Sequence, residues 1–450
     1  MGVLRTQHNK SLAATVELSL ASPMFQDLGP DARELLGVIA FFPQGVDENN
    51  LNWFFPTLPN IASIFDNFCV LSLAYRSSGF ATMLAPLRDY LCPKNPGSSR
   101  LLCVARDSYF NRLSVHVTPG EPGFEEARWI VLEDVNVEHL LDAFTSVDTS
   151  SNDLWNACAD FLAHLGWHKP RPVMLGPKIE GLPDSHPSKP ECLTDLSRLL
   201  HSTGVFVEAK WLLIHTLKIW RERGGDVQIA QTLGFLADVN WLLGLCDEGI
   251  PQAKEGLEIY ERLGNIWGQA SSLQRLSQLY RAVQCLDAAE EVTSRALDLS
   301  LRKNDQFLIC QSHFHFGDIY RAKGEAEKAI NHLETAIRVA SSDWDDILFS
   351  SHYVLANVFI GEGRLDDAHV HAERSKLHVA NHPFNLGYAM DLQARVWYRQ
   401  RRLEEAKSEV SRAVEVFEKL GATRELGDTS SRKFLQGIHE GINYLTATHG

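Results

Sequence analysis

The histidines have the spacing best suited to chemistry. His164 and His168 stand four residues apart, which on a helix brings two imidazoles onto one face, as a metal ion requires. No acid or cysteine lies at a spacing that would complete such a site, and Lys169-Pro170 ends the helix there. His313/His315 and His369/His371 are each two apart. On a helix the members of such pairs diverge, so they read as surface or groove histidines. His439-Glu440 lacks the second histidine of a zinc-protease helix. No Gly-x-Ser-x-Gly nucleophile turn occurs. There is also no G-x-x-x-x-G-K-[ST] loop, whose backbone amides and lysine would cradle phosphates. The eight cysteines (Cys69, Cys92, Cys103, Cys158, Cys192, Cys246, Cys285 and Cys310) include no C-x-x-C pair, and several fall inside apolar helical patterns. They read as reduced, mostly buried thiols of an intracellular, cytoplasmic protein. The residues therefore point to no catalytic group, no metal ligand and no cofactor, and the chain is not expected to be an enzyme.

The bulk numbers agree with an interaction role. Of 450 residues, 44% are apolar and 22% charged, a globular composition with ample material for a core and enough length for two or three domains. A net charge of −14 argues against nucleic acid as a partner, because phosphate contacts need clustered Lys and Arg. No stretch is apolar long enough to cross a bilayer, and no apolar run follows Arg5 and Lys10 as a secretory signal would require. Gly2 and Thr6 fit the loose myristoylation pattern, though six residues match that pattern often by accident. Neither nucleic acid nor a membrane is expected as a partner.

The elements that position any functional side chain come from an internal repeat. Six helix pairs align on one small residue opening each second helix: Ala209, Gly249, Ala289, Ala329, Ala368 and Ala406, spaced by 40, 40, 40, 39 and 38 residues. A small side chain is needed there because the paired helices cross closely at that point. The clearest unit runs from Cys310 to about Ser341, with Phe316-Gly317, Tyr320, Gly324, Ala329, Leu333 and Ala336 filling every place of the tetratricopeptide pattern. Leu276-Ser277, Tyr280, Ala289 and Ala296 repeat it upstream, and Leu355-Ala356, Phe359, Gly363, Ala368 and Ala372 downstream. Gly204, Gly244, Gly324 and Gly363 mark the turns within pairs, while Gln284 and Arg401 break that rule. The period exceeds the usual 34 residues, so either the second helices or the loops between pairs must be longer. The spacing predicts a mainly α protein, a tetratricopeptide-like α-solenoid of about six pairs over 191–422, closed by a capping helix within 423–450. In that last segment Phe434, Leu435, Ile438 and Ile442 fall on one face of the pattern from Arg432 to Tyr444.

Upstream, 1–30 reads as a helical segment and 31–92 as a small winged-helix-like domain. Its helices are expected after Pro30-Asp31, near Leu51 to Phe55 and near Ile61 to Phe68. Val70 to Tyr75 and Phe80 to Leu84 flank Ser77-Ser78-Gly79 as a β-hairpin, and a short helix starts at Pro86. Residues 31–91 carry three basic side chains (Arg33, Arg76, Arg88) against six acidic ones, which speaks against DNA binding by this domain. Residues 93–170 read as helical. Within 171–190 the prolines at 172, 177, 183, 187 and 190 predict a non-helical connector.

The run Leu35-Leu36-Gly37-Val38-Ile39-Ala40-Phe41-Phe42-Pro43-Gln44-Gly45-Val46, and the later Met83-Leu84-Ala85-Pro86-Leu87-Arg88-Asp89-Tyr90, resemble the beginning and end of the winged helix in NB-ARC proteins of the STAND class. With the repeats added, nearly the whole chain resembles a fungal group of NB-ARC proteins that carry tetratricopeptide repeats. The resemblance implies a nucleotide-controlled switch, closed with ADP and opened by ATP, whose repeats sense a ligand. The chain departs from that plan at the missing P-loop. It departs again at Met83-Leu84-Ala85, which stands where the family has Met-His-Asp and can neither donate to a β-phosphate nor supply the acid. On this resemblance the chain starts about where the family's preceding subdomain ends, as a truncated or degenerate relative would.

In a tetratricopeptide solenoid the first helices of successive pairs line a concave groove. Counting from the apolar-small pairs places Asp238, Trp241, Gln274, Gln278, Arg281, Phe314, Asp318, Arg321, Tyr353, Asn357, Arg395 and Tyr398 there. Arginines, amides and aromatics suit an extended peptide or a protein surface. The expected function is a protein-binding scaffold or ligand-sensing module. The alternative is the sensor half of a longer nucleotide-dependent switch, and a third reading has the winged helix binding DNA while the repeats recruit a regulator.

Overall fold

The computed structural model describes residues 13–48, 51, 55, 60–115, 129–342, 344–379, 383–419 and 437. The patterns at Gly2/Thr6, most of 51–55 and nearly all of 423–450 lie outside them. Two compact units divide the chain near Cys192.

In the first unit residues 13–20 are helical, followed by α1 (Pro23–Gln26) and α2 (Asp31–Phe41). Leu35, Leu36, Val38 and Ile39 of α2 are fully buried. β1 (Val46–Asp47) and α3 (Ile61–Val70) come next, then the hairpin β2 (Tyr75–Ser77) and β3 (Phe80–Thr82) and α4 (Ala85–Leu91). The hairpin is shorter than the residue pattern suggests, because α3 runs on to Val70 and a turn through Leu71 and Ser72, with φ 58° at Ser72, separates it from the strand, which begins only at Tyr75. The short sheet gains β1 on its other side, giving the antiparallel order β1-β3-β2 with Val46 and Arg76 both opposite Ala81. Three longer helices follow: α5 (Arg100–Leu113), α6 (Ile130–Val147) and α7 (Asn152–His168). A buried polar knot joins α5 and α6 to the backbone just before β1. Glu133 of α6 accepts from the Tyr109 hydroxyl at 2.9 Å and from Asn136 at 2.9 Å, and Asn136 also donates to the Gly45 carbonyl at 2.8 Å. The proline-rich stretch holds a helix, α8 (Gly176–Glu180), contrary to the expected connector. Pro177 stands in its first turn, where a missing N–H costs nothing, and Leu175 and Ile179 are buried in this unit.

The second unit is the solenoid. Its first helices are α9 (Lys189–Ser202), α11 (Asp226–Leu242), α13 (Ile266–Ala282), α15 (Gln306–Lys323), α17 (Asp345–Gly361) and α19 (Pro383–Arg399). Their partners are α10 (Phe206–Arg223), α12 (Cys246–Arg262), α14 (Leu286–Lys303), α16 (Ala326–Val339), α18 (Leu365–Leu377) and α20 (Leu403–Lys419). The long period is now explained. The first three second helices have 17 or 18 residues, whereas α16 stops at 14 and a loop fills the remainder. Ala209, Ala289, Ala329, Ala368 and Ala406 are fully buried, and Gly249 is buried with them. The in-pair turns demand positive φ at one residue. Gly204, Gly244, Gly324 and Gly363 supply it, and Gln284 and Arg401 adopt it as well, at φ 60° and 64°. The fold is thus a mainly α, tetratricopeptide-like solenoid behind a smaller α/β unit.

Candidate protein-interaction surface

The face traced by α11, α13, α15, α17 and α19 is sewn sideways from pair to pair by charged and polar groups. Arg275 Nε donates to Asp238 at 2.9 Å. Arg281 Nε meets Asp318 at 2.6 Å, and Arg321 holds the other oxygen of the same carboxylate at 2.8 Å. Two guanidinium groups sharing one carboxylate leave a surplus positive charge there. Within α19, by contrast, Arg395 Nε donates to Asp391 four residues earlier on the same helix, at 2.6 Å. Beside the Asp318 cluster, burial pulls the His315 imidazole down to about 4, with Asp318 opposing the shift and Arg281 adding to it. Burial likewise pushes the Tyr353 hydroxyl up to about 12.

The twelve residues picked out by register do not share one environment. Gln274 is buried and spans two repeats, donating to the Leu308 carbonyl at 2.9 Å and to the Ser312 hydroxyl at 3.1 Å. Trp241 and Phe314 are half-buried against core clusters of the solenoid. Asn357 donates to the Tyr353 carbonyl at 2.9 Å, and the Tyr353 ring meets Tyr388 edge-on at 6.2 Å. Asp238, Gln278, Arg281, Arg321 and Arg395 are half-buried, Asp318 is nearly closed off, and Tyr398 is exposed. Arg275, which bridges to Asp238, and Asp391, which holds Arg395, were missed by the register count. Asp391 stands three residues before Ala394, the relation Gln274 and Phe314 bear to Ser277 and Gly317, so the same place in the sixth pair, whose Arg395 and Tyr398 the count did include, would have given it.

The histidines are placed differently from the sequence reading. His313 Nδ1 lies 3.0 Å from His332 Nδ1, and His352 Nδ1 lies 2.9 Å from His371 Nδ1. Each pair joins the first and second helix of one repeat, so His313 and His371 sit between helices rather than at the surface. His369 bonds to Gln393 at 2.9 Å. His164 Nε2 is 2.9 Å from the Leu113 carbonyl, with its ring stacked on that of His168. Among the described residues no group of three or more His, Cys, Asp or Glu is arranged to hold a metal ion, and no helix is long and apolar enough to cross a membrane. The cysteines are all free; Cys158, Cys192, Cys246 and Cys310 are buried, whereas Cys285 is exposed.

The tetratricopeptide repeat family matches residues 311–343. No curated protein matches the chain. Among solved structures, a Rap protein complexed with competence and sporulation factor is similar at 13% identity and TM-score 0.49, over 75% of this chain and 99% of that one. A STAND protein with a tetratricopeptide repeat sensor from Pyrococcus horikoshii is similar at 14% identity and TM-score 0.47, over 87% of this chain and 57% of that one. The aspartyl phosphate phosphatase F of Bacillus subtilis is similar at 11% identity and TM-score 0.42, over 72% of this chain and 95% of that one.

Proposed function

We propose that the solenoid is a non-catalytic protein-binding module, and that the face formed by its first helices takes an extended, acidic segment of a partner protein. The observation that carries this reading is the Arg281–Asp318–Arg321 cluster. Its surplus positive charge, flanked by the half-buried aromatic rings of Phe314 and Tyr353, suits a carboxylate-bearing chain. Paired and partly desolvated arginines bind carboxylates far better than scattered surface lysines do.

Site-specific photocrosslinkers in the full chain test the reading. A partner crosslinks from Gln278 but not from Glu334 on a second helix, and Arg281→Glu with Arg321→Glu abolishes the capture. Equal capture from both positions, or capture that survives the charge reversal, sinks it.

Nucleic acid is a poor competitor on the same reasoning. In the first unit Arg76 is clamped between Asp66 at 2.5 Å and Glu48 at 2.8 Å, and Arg33 pairs with Glu17 at 3.3 Å. The sensor-half alternative is supported by the resemblance at residues 35–46 and 83–90. An immunoblot of source cells distinguishes it: a band near 50.5 kDa supports the stand-alone module, and a far heavier band supports the longer switch.

A further inference from the structure

The small sheet of the first unit ends in an open edge. In the order β1-β3-β2, β2 has no strand on its outer side among the described residues, and Tyr75, Arg76 and Ser77 are all exposed. The register shows which backbone groups face that side. The Glu48 amide donates to the Gly79 carbonyl at 3.0 Å. Two residues back, Val46 and Ala81 are therefore also a hydrogen-bonded pair, and the Ala81 backbone is turned toward β1. Arg76 stands opposite Ala81 on the other side, so its own N–H and C=O point away from β3, to the open edge. The hairpin turn agrees. Ser78 and Gly79 both have positive φ, 52° and 85°, the two-residue turn that closes on a bonded Ser77–Phe80 pair and leaves Arg76–Ala81 unbonded.

An apolar cleft opens at the foot of the same strand. Cys69, Leu73, Tyr75, Leu84 and Leu87 line a space of about 370 Å³, at the small end of the roughly 300–1,000 Å³ usual for binding pockets. Apolar side chains around it meet water: Leu84 is 59% exposed, Tyr75 42%, and Val70, next in the chain to Cys69, 69%. Successive side chains of a strand face opposite ways, so Arg76 lies on the other face from Tyr75. There its guanidinium lies over the Phe65 ring at 4.9 Å and holds both Asp66 and Glu48. Two carboxylates share one positive charge, and a surplus negative charge is left beside the open edge.

We infer that β2 takes an extended segment of a partner protein by antiparallel strand addition, with a basic residue opposite Arg76 and an apolar residue next to it in the cleft. The residue opposite Arg76 exchanges both backbone hydrogen bonds with it and turns its side chain toward Asp66 and Glu48. Its neighbour stands opposite Tyr75 and turns to the Tyr75 face, where the cleft lies. The edge is short and bears a charged side chain, which blocks indiscriminate pairing, so the cleft and the surplus charge supply the selectivity. The segment is of opposite charge to the one assigned to the solenoid face, so the two sites take different sequences.

Fluorescence anisotropy with the full-length protein and a labelled heptapeptide, Val-Lys-Val between pairs of threonines, tests this. The expected result is saturable binding that weakens about tenfold or more when serine replaces both valines, when the lysine amide is N-methylated, or when glutamate replaces the lysine. Leu84→Glu should weaken the parent probe to the same degree, and Asp66→Lys should restore the glutamate probe. Both replaced side chains are at the surface, so circular dichroism should be unchanged, and Arg281→Glu with Arg321→Glu should leave binding as it is. No saturation at millimolar protein overturns the inference, as does binding that ignores Leu84→Glu. An N-methylated probe that binds as well as the parent overturns it in favour of an apolar ligand using the cleft alone. Binding lost in the Arg281/Arg321 variant overturns it by placing the probe on the solenoid.

Discussion

At the scale of single residues, two imidazole pairs and two strained turns carry the sharpest consequences. Burial lowers the pKa of both members of each pair, to about 3 for His352 and about 4 for His371, and in the same direction for His313 and His332. These groups are neutral in the folded chain and ordinary in the unfolded one. Above pH 6.5 both states are neutral and the pairs add no pH dependence. As the pH falls below 6.5 the unfolded chain gains protons that the folded one refuses, so stability drops until about pH 4. The third pair holds Leu273 and Val292 at the matching places. Accordingly His352→Leu with His371→Val should flatten the fall in unfolding midpoint between pH 6.5 and 4.5; for buried His352 the slope removed is at most ~1.4 kcal/mol per pH unit. Gln284 and Arg401 hold the left-handed conformation that glycine adopts freely. Replacing each by glycine should raise stability by up to ~1 kcal/mol, read as a higher denaturant midpoint with an unchanged slope.

At the scale of elements, each pair depends on how closely its two helices approach. A methyl group at Gly317 of α15 would sit 2.4 Å from Leu333 Cγ of α16, a separation no packed core tolerates. Gly317→Ala should therefore destabilise the protein by ~1–3 kcal/mol. Leu333→Ala in the same chain should recover part of that loss, so a double-mutant cycle in chemical denaturation should show favourable coupling. Neighbouring pairs are bridged again and again by charges about one repeat apart, such as Lys210–Glu248 at 2.9 Å and Arg221–Glu255 at 2.7 Å. Exposed bridges of this kind contribute little each. The Asp318 carboxylate is different because it is largely shielded from water. Asp318→Asn should leave two arginines facing each other, and the expected readout is a lower unfolding midpoint whose deficit shrinks as salt is added.

At the scale of the solenoid as a whole, closure of one superhelical turn is a property of no single repeat. It rests on Phe384, whose ring also comes within 3.0 Å of where a side chain at Gly204 would begin. Phe384→Ser should leave the helix content intact and speed amide exchange at Thr203 to Phe206. Exchange in α13 and α14, which do not touch the seam, should not change. Faster exchange confined to α19 and α20, with Thr203 to Phe206 unchanged, would mean that Phe384 stabilises the sixth pair alone.

The amino-acid sequence by itself determined the repeat: where the small residues fall, which faces are apolar, and therefore that six helix pairs stack. Those are local constraints, since a close helix crossing admits only a small residue and an amphipathic period admits only a helix. It did not reveal that His313 and His371 turn inward, because a spacing of two tells which residues diverge but not which of them meets the partner helix. It misled within 171–190, where proline density hid a helix that tolerates proline in its first turn. The contact of Phe384 with Phe206 joins residues 178 positions apart. Only the tertiary structure decided it, because the small rotation between successive pairs accumulates, and no local pattern records the sum.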